Sequence, residues 1–594
     1  MVSRRKLFSM VLMMAVVLVL FLFTQVYRNA VNDYDTNEYA KEVIFQQTDA
    51  FEVLEEKEDV PEGRQVVLIG NETGEFGNIV LQWCTYSKRS LRCFSDLTDY
   101  LSQENIDADI LCIDPEYLSC TEDGKRLEAF YDQNMVVIFG GLPDTEELGQ
   151  SPELCEVLGI KKIQKDSVEL AGLYMYQDFL LGGEALYLAK TEEEAARQDL
   201  NLSIPWYELG GRTKKYMIGL IEAENVKREE QPAIVWRNTL GSTRVFAVNG
   251  NYLCEETGLG FLDAMMSESY SSVLYPIVNA QNLSIVDYPS FVSENEEVLQ
   301  EIYSNNHRML LQNIIWPSLI SLSEQSGFKM TCFLTPQFLY SDNNMPQTDD
   351  FTFYLRQIKE QQGEVGWSAG GKDGISVEDK WSQDKKFFED AKSAYIYSAA
   401  FAARGQTDEI IELNDSGEVA IQTIVGEGEE EKFLLSFVSE NVTYQRITHR
   451  AASYNFSDDL RNRSLQTALG YTNILLDMEC VSWPESTEEY WENYSRKVLG
   501  NIGTRWKTFS YFDRTAITES DSRLRNFFAL DYEDEYIDNS INLKVKNREG
   551  IVYFLLRTHD KKINSVSGGD FSKIEEDAYI ISAREDEVEI SLTN

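Results

Sequence analysis

The sequence is short of histidine and of positive charge, and each shortage excludes something. Only three histidines, His307, His449 and His559, serve 594 residues, each more than a hundred positions from the next. Zinc binding or proton transfer by clustered imidazoles needs two or three close together, so no such cluster is encoded locally. Lysine and arginine number 54 against 99 Asp and Glu, a formal net charge of −45. A body so charged repels phosphate backbones, which excludes nucleic acid as a general partner. It still admits a cationic partner, such as a polymer carrying free amines. There is no CxxC, so neither a zinc ribbon nor a thioredoxin-like site is indicated. A Pro-rich or Gly/Ser-rich linker and a long internal repeat are absent too.

What is present describes a large globular chain. The length of 594 residues suggests about four structural units. A hydrophobic fraction of 43% with 12% aromatics excludes wholesale disorder. The eight cysteines do not have the spacing of a small stapled scaffold. Cys112 in ADILCID and Cys332 in FKMTCFLT fall inside apolar runs and read as core thiols. Cys84 and Cys93 are the best-placed pair for a disulfide.

The N-terminus carries Arg4, Arg5 and Lys6, then the uncharged run LFSMVLMMAVVLVLFLF from Leu7 to Phe23. This is near the lower length limit for a spanning helix. The positive-inside rule keeps the basic residues cytoplasmic. No small-x-small cleavage site follows, so an uncleaved signal anchor over 1–29 is expected in preference to a cleaved signal peptide. The localisation expected is the cell membrane, single-pass, with the bulk of the chain extracytoplasmic. Residues 30–62 read as an acidic stalk.

Short apolar strands then alternate with helical patterns. QVVLIG (65–70), ADILCI (108–113) and MVVIF (135–139) are separated by helical stretches at Cys93 to Gln103 and Gly124 to Asp132. VWRNT (235–239), RVFAVNG (244–250) and a helix from Gly258 to Glu268 complete an α/β domain over 63–275. Seven further strand candidates lie between Leu283 and Glu479, with helices between most of them. They predict a βα barrel over 280–535, whose working residues would follow the strand C-termini. From Ser540 to the end the alternation of INLKVKN, GIVYFLLRT, DAYIISA and EVEISLTN predicts a small β-sandwich-like module over 540–594.

The first domain resembles the class I glutamine amidotransferase-like or flavodoxin-like fold. It lacks the Gly-x-Cys-x-Gly nucleophile elbow, which implies a structural or binding module. The middle domain resembles the NodB-like polysaccharide deacetylases, carbohydrate esterase family four, through SEQSGFKMTCFLTP (323–336) and GEVGWSAGG (363–371). The whole exported chain, in phrases such as RVFAVNGNYLCEETGLGFLDAMMSE (244–268), is similar to a bacterial membrane-anchored family. Some of its members accompany Pel-type exopolysaccharide clusters.

In active deacetylases of that family an Asp pair supplies a base and a metal ligand, two imidazoles complete the site of a divalent ion that polarises water and the acetyl carbonyl, and a later His acts as acid. Here only Asp287 remains after the first strand, followed by Tyr288 and Pro289. Ser368 and Lys372 stand on the two imidazole positions, and the Leu476–Asp477 neighbourhood replaces the later His. No cofactor is expected, and a divalent metal only if the site is remodelled. Asp287, Asp477 and Glu479 are the candidate catalytic residues, as a carboxylate cluster at the barrel mouth. Tyr288, Trp367 and Trp483 are candidates for stacking on sugars, and Arg446 and His449 for holding a carboxylate or acetyl group.

The expectation is a protein of exopolysaccharide or cell-envelope polysaccharide metabolism. Its degenerate deacetylase-like domain binds glycan or scaffolds a synthesis complex. Expected partners are polysaccharide, the membrane through the N-terminal helix, and exopolysaccharide synthesis and export proteins. The alternative is an active deacetylase or glycan hydrolase with a non-standard carboxylate site.

Overall fold

The computed structural model describes Met13, Met14 and residues 64–593, apart from 104–107, 192–194, 196–197, 201, 223–225, 343, 394–396 and 429–432. The expected anchor over 1–29 and stalk over 30–62 lie outside the described residues, save Met13 and Met14. Among the described residues no helix is long and apolar enough to cross a membrane. The architecture is corrected accordingly to a mixed α/β chain, and neither the transmembrane helix nor the single-pass membrane localisation is carried further.

The first unit is built on strands β1 (Gln65–Ile69), β2 (Ser90–Phe94), β3 (Ile110–Ile113) and β4 (Val136–Phe139). In β3 and β4 every residue is buried. Burial on both faces suits parallel strands covered by helices. The sheet order is β2-β1-β3-β4-β11-β10-β9-β6-β7, with β6 Gly172–Met175, β7 Ala185–Leu188, β9 Thr213–Leu220, β10 Ala233–Leu240 and β11 Thr243–Val248. The first five strands in that order run parallel and the last four add antiparallel hairpins. Beside it β5 (Ile160–Glu169) and β8 (Ser203–Leu209) form a separate ribbon. Two sequence expectations fail locally. The helix expected from Cys93 is a strand through Phe94 followed by one short helix, Leu97–Ser102. Cys84 and Cys93 are free thiols, as are the other six cysteines.

The second unit is a curled parallel sheet of β13 (Ala280–Val286), β14 (Met330–Leu334), β15 (Glu364–Ser368), β16 (Ala399–Ala402), β17 (Thr423–Gly426), β19 (Thr443–Arg446), β20 (His449–Arg450) and β21 (Tyr471–Asp477). A short strand β18 (Leu435–Phe437) pairs antiparallel with β19. The run 443–450 pairs through β19 with β17 and through β20 with β21. Because β21 also pairs with β13, this single bent strand bridges the two edges of the sheet.

The C-terminal region holds two four-stranded antiparallel sheets. One contains β22 (Asp531–Ile537), β23 (Ser540–Lys546), β25 (Lys562–Ser567) and β28 (Glu587–Thr593). The other contains β24 (Val552–Arg557), β26 (Gly569–Lys573), β27 (Ala578–Ala583) and, from far upstream, β12 (Val273–Ile277). Their inner faces share one core, including Leu274, Leu543, Phe554 and Ile590.

The units are cemented together. The largest apolar core runs through Val66, Phe261, Leu465, Phe527 and Leu555. Helix Thr257–Ser267 of the first unit lies against helix Phe456–Leu469 of the second at contact distance. A Cβ on Gly260 would stand 2.2 Å from the Ser464 carbonyl oxygen. There the Gly260 N–H donates to Ser464 Oγ at 2.8 Å, and Ser464 Oγ donates to the Thr257 carbonyl at 2.6 Å. Trp83 Nε1 donates to Asp263 at 2.8 Å in the same seam, where burial pushes the Asp263 carboxyl up to about 7.

Candidate functional site

The candidate residues gather at the carboxyl ends of the barrel strands. β13 and β21 are adjacent, and their register pairs Val286 with Asp477, so Asp287 leaves its strand beside Asp477. Asp287 has φ +58°, a left-handed conformation that Asp adopts more readily than most non-glycine residues. Its Oδ1 accepts from Ser368 Oγ at 2.7 Å, at the end of β15. Asp477 accepts the Glu479 N–H at 3.0 Å and faces Arg450 at 3.5 Å. Arg450 also pairs with Glu427 at 2.6 Å. Glu479 is bound by Lys372 Nζ at 2.9 Å, and that ammonium lies 5.7 Å from the centre of the Trp483 ring.

The three carboxylates feel one another. Burial pushes the Asp287 carboxyl up to about 7; the negative charges of Asp477 and Glu479 add to this, while Ser368 and Lys380 oppose it. Asp477 is raised by burial, with Arg450 opposing and Glu479 adding. Glu427 is raised by burial as well.

Behind the mouth lies a polar cluster that the sequence does not announce. Asp384 accepts from Lys380 Nζ at 2.5 Å, Tyr340 Oη at 2.6 Å and Trp367 Nε1 at 2.8 Å. Lys380 and Asp384 are both fully buried. They sit at i and i+4 of helix Val377–Asp390, a spacing that in sequence reads as an ordinary surface pair. Arg450 is equally illegible, because the bend of strand 443–450 brings it to the mouth, where it meets Glu427 at the end of β17.

Several expected roles change. Tyr288 is buried between Trp316 and Tyr354, and its hydroxyl donates to the Leu311 carbonyl at 3.4 Å. Trp367 is buried and spends its N–H on Asp384. Neither presents a face to a sugar; both are core. Trp483 is half-buried, and its Nε1 has no partner among the described residues. Arg446 is drawn away from the carboxylates to Glu256 of the first unit, at 2.5 Å, in a cavity of about 530 Å³ between the units.

The histidines are structural. His307 Nδ1 donates to the Val292 carbonyl at 2.8 Å, and His449 Nε2 to the Asp458 carbonyl at 3.1 Å. Burial lowers both imidazoles below their ordinary range. His559 Nε2 donates to the Ser267 carbonyl at 2.7 Å.

A divalent ion does not fit this donor set. Of the two positions that would supply imidazoles, one is a hydroxyl spent on Asp287 and the other an ammonium spent on Glu479. Among the described residues no group of three or more His, Cys, Asp or Glu side chains is placed to hold a metal.

A family model described as "Uncharacterised protein conserved in bacteria (DUF2194)" matches residues 154–406, which run from the first unit into the barrel strands. This supports the coarse reading, a bacterial family; it names neither a NodB-like deacetylase nor a Pel-type cluster. No curated protein matches the chain. Among solved structures the chain is similar to a β-galactosidase from Rahnella sp. R3, at 12% identity and TM-score 0.23, over 35% of this chain and 31% of that one. A ThuA-like protein from Bacteroides uniformis matches at 9% identity and TM-score 0.24, over 36% and 94%. An endo-β1,6-glucanase matches at 10% identity and TM-score 0.25, over 52% and 82%. The chain spans less than a third of the length of the Rahnella galactosidase. Likeness at this level carries no functional argument.

Proposed function

We propose that this is a glycan-binding protein of bacterial polysaccharide metabolism, whose barrel keeps the frame of a deacetylase mouth without its metal-dependent chemistry. One observation carries the reading. Ser368 and Lys372, at the positions where the resembled deacetylases have imidazoles, are bound to Asp287 and Glu479. An ammonium at a ligand position repels a divalent cation, and it already neutralises a carboxylate that would otherwise attract one. Trp483, with Lys372 over its ring, is the aromatic left at the mouth to pack against a sugar face. On this reading the partners are polysaccharide and the synthesis and export proteins that handle it, and the net charge of −45 disfavours nucleic acid.

The test is to incubate the full chain with N-acetylated and de-N-acetylated oligosaccharides, with and without zinc, measuring retention and acetate together. Binding that weakens in Trp483→Ala, with no acetate released, is expected. Acetate release that is lost in Asp287→Asn overturns the reading.

A second reading rests on a different observation. A carboxyl held near neutrality beside a second carboxylate is the arrangement of an acid/base pair. It makes the chain a glycan hydrolase with a non-standard site. New reducing ends, produced with an optimum near neutral pH and absent in Asp287→Asn, favour it over the binding reading.

A further inference from the structure

The first unit has an opening of its own at the carboxyl edge of its parallel sheet. The strand order reverses there between β1 and β3, the position at which open α/β sheets receive ligands. The opening encloses about 640 Å³ between the strand ends and the start of helix Glu75–Ser87. Helix and strand end meet closely: a Cβ on Gly140, just after β4, would stand 2.6 Å from the Phe76 ring.

Five carboxylates line this cavity, those of Glu75, Asp114, Glu116, Asp144 and Asp166, and no Lys, Arg or His does. Among the described residues none of the five is ion-paired. The helix N-terminus contributes roughly +0.5 of a charge, which five carboxylates outweigh. The field therefore selects against phosphates and carboxylates and in favour of a cation.

Tyr207 supplies an independent sign of a ligand. Its side chain lines the cavity and is 1% exposed, yet its hydroxyl has no hydrogen-bond partner. After burial, the groups that act most on the phenol are Cys155, Asp166 and Asp144, and the two aspartates are on the cavity wall. A buried hydroxyl without a partner is costly, and such groups are rare in native proteins. Nearby, Asn249 is held rigid by donating to the Pro205 and Ala233 carbonyls at 2.8 and 3.1 Å.

We infer that this cavity binds a small hydroxylated amine, of the class of an unacetylated hexosamine. Its ammonium sits among the carboxylates, and a hydroxyl completes the hydrogen bonding of Tyr207. The site is separate from the barrel mouth.

Calorimetric titration of the full chain with glucosamine, N-acetylglucosamine and inorganic phosphate tests it. Glucosamine is expected to bind one-to-one and N-acetylglucosamine about tenfold or more weakly, since acetylation removes the charge. Phosphate is expected not to bind. Tyr207→Phe should weaken glucosamine about fivefold, and the double variant Asp144→Asn, Asp166→Asn should weaken it further, with circular dichroism unchanged in both. Asp287→Asn should leave the titration as it is. Absence of glucosamine binding, equal binding of the N-acetylated sugar, or binding that survives Tyr207→Phe and the double variant overturns the inference. Loss in Asp287→Asn alone places the amine at the barrel mouth and overturns it too. Because polymer retention is scored on Trp483, failure of this site and failure of the proposed function are separately visible.

Discussion

The chain has two parallel sheets, and their carboxyl edges have been treated in opposite ways. At the barrel mouth every functional-looking carboxylate has a partner from the protein: Ser368 for Asp287, Arg450 for Asp477 and Lys372 for Glu479. At the first sheet's edge five carboxylates line the cavity with no cation among them, and a buried tyrosine hydroxyl is left without a bond. A mouth whose carboxylates are already paired costs little to keep and offers little to a cation. A site left unsatisfied carries a standing cost that a ligand can relieve. Position on the fold does not distinguish the two edges; the inventory of partners does.

The comparison can be broken most severely behind the barrel mouth. Lys380→Met leaves Asp384 as a fully buried charge without its ion-pair partner. The loss expected is about 3–5 kcal/mol, read from chemical denaturation. A loss below about 1 kcal/mol would mean that Tyr340 and Trp367 alone satisfy Asp384, and that the mouth is less self-contained than described.

Asp287→Asn is next, and its effect depends on pH. Folding raises this carboxyl from 3.8 to about 7, so the folded chain holds the proton more tightly than the unfolded chain. The stability tied to that proton is full only well below about pH 4, falls as pH rises towards 7, and is flat above. Relative to wild type, the Asn variant should gain on the order of 4 kcal/mol at pH 8 and about 1 kcal/mol at pH 4.5, as followed by melting temperature. An equal effect at both values would mean that Asp287 stays ionised throughout.

Smaller effects sharpen the contrast. Tyr207→Phe removes an unsatisfied hydroxyl and should be neutral, or stabilising by about 1 kcal/mol, in the absence of ligand. A clear loss would reveal a partner for that hydroxyl. Lys372→Ala breaks a half-exposed pair and should cost about 1 kcal/mol or less, declining with salt.

Much of the strand framework was legible in the sequence. Runs such as VVLI, ILCI and VVIF are apolar throughout, as doubly covered parallel strands must be, and the barrel strands followed from the same signal. The strand SLRCF was not legible. It lies at the sheet's edge and mixes polar with apolar residues, so a helical reading of the stretch from Cys93 competed with it. Nor was the contribution of β12 to the C-terminal sandwich, because its partner β24 lies almost three hundred residues away in sequence.

For the site, strand ends placed Asp287, Asp477 and Glu479 together, since adjacency follows from the order of parallel strands. Side-chain direction was not accessible in that way. Tyr288 turns into the core because Asp287 takes a left-handed conformation, and Trp367 points inward as alternation along β15 dictates, opposite to Gly366 and Ser368. The cations that neutralise the mouth come from a bent strand and a loop, and local pattern carries neither.

The measurement that bears most directly on the account is a calorimetric zinc titration of the chelator-treated full chain, with wild type beside the double variant Ser368→His, Lys372→His. If the barrel mouth is closed by its own side chains, wild type takes up no stoichiometric zinc there and the double variant gains a site that Asp287→Asn removes. One-to-one zinc binding by wild type that is abolished in Asp287→Asn would contradict the account.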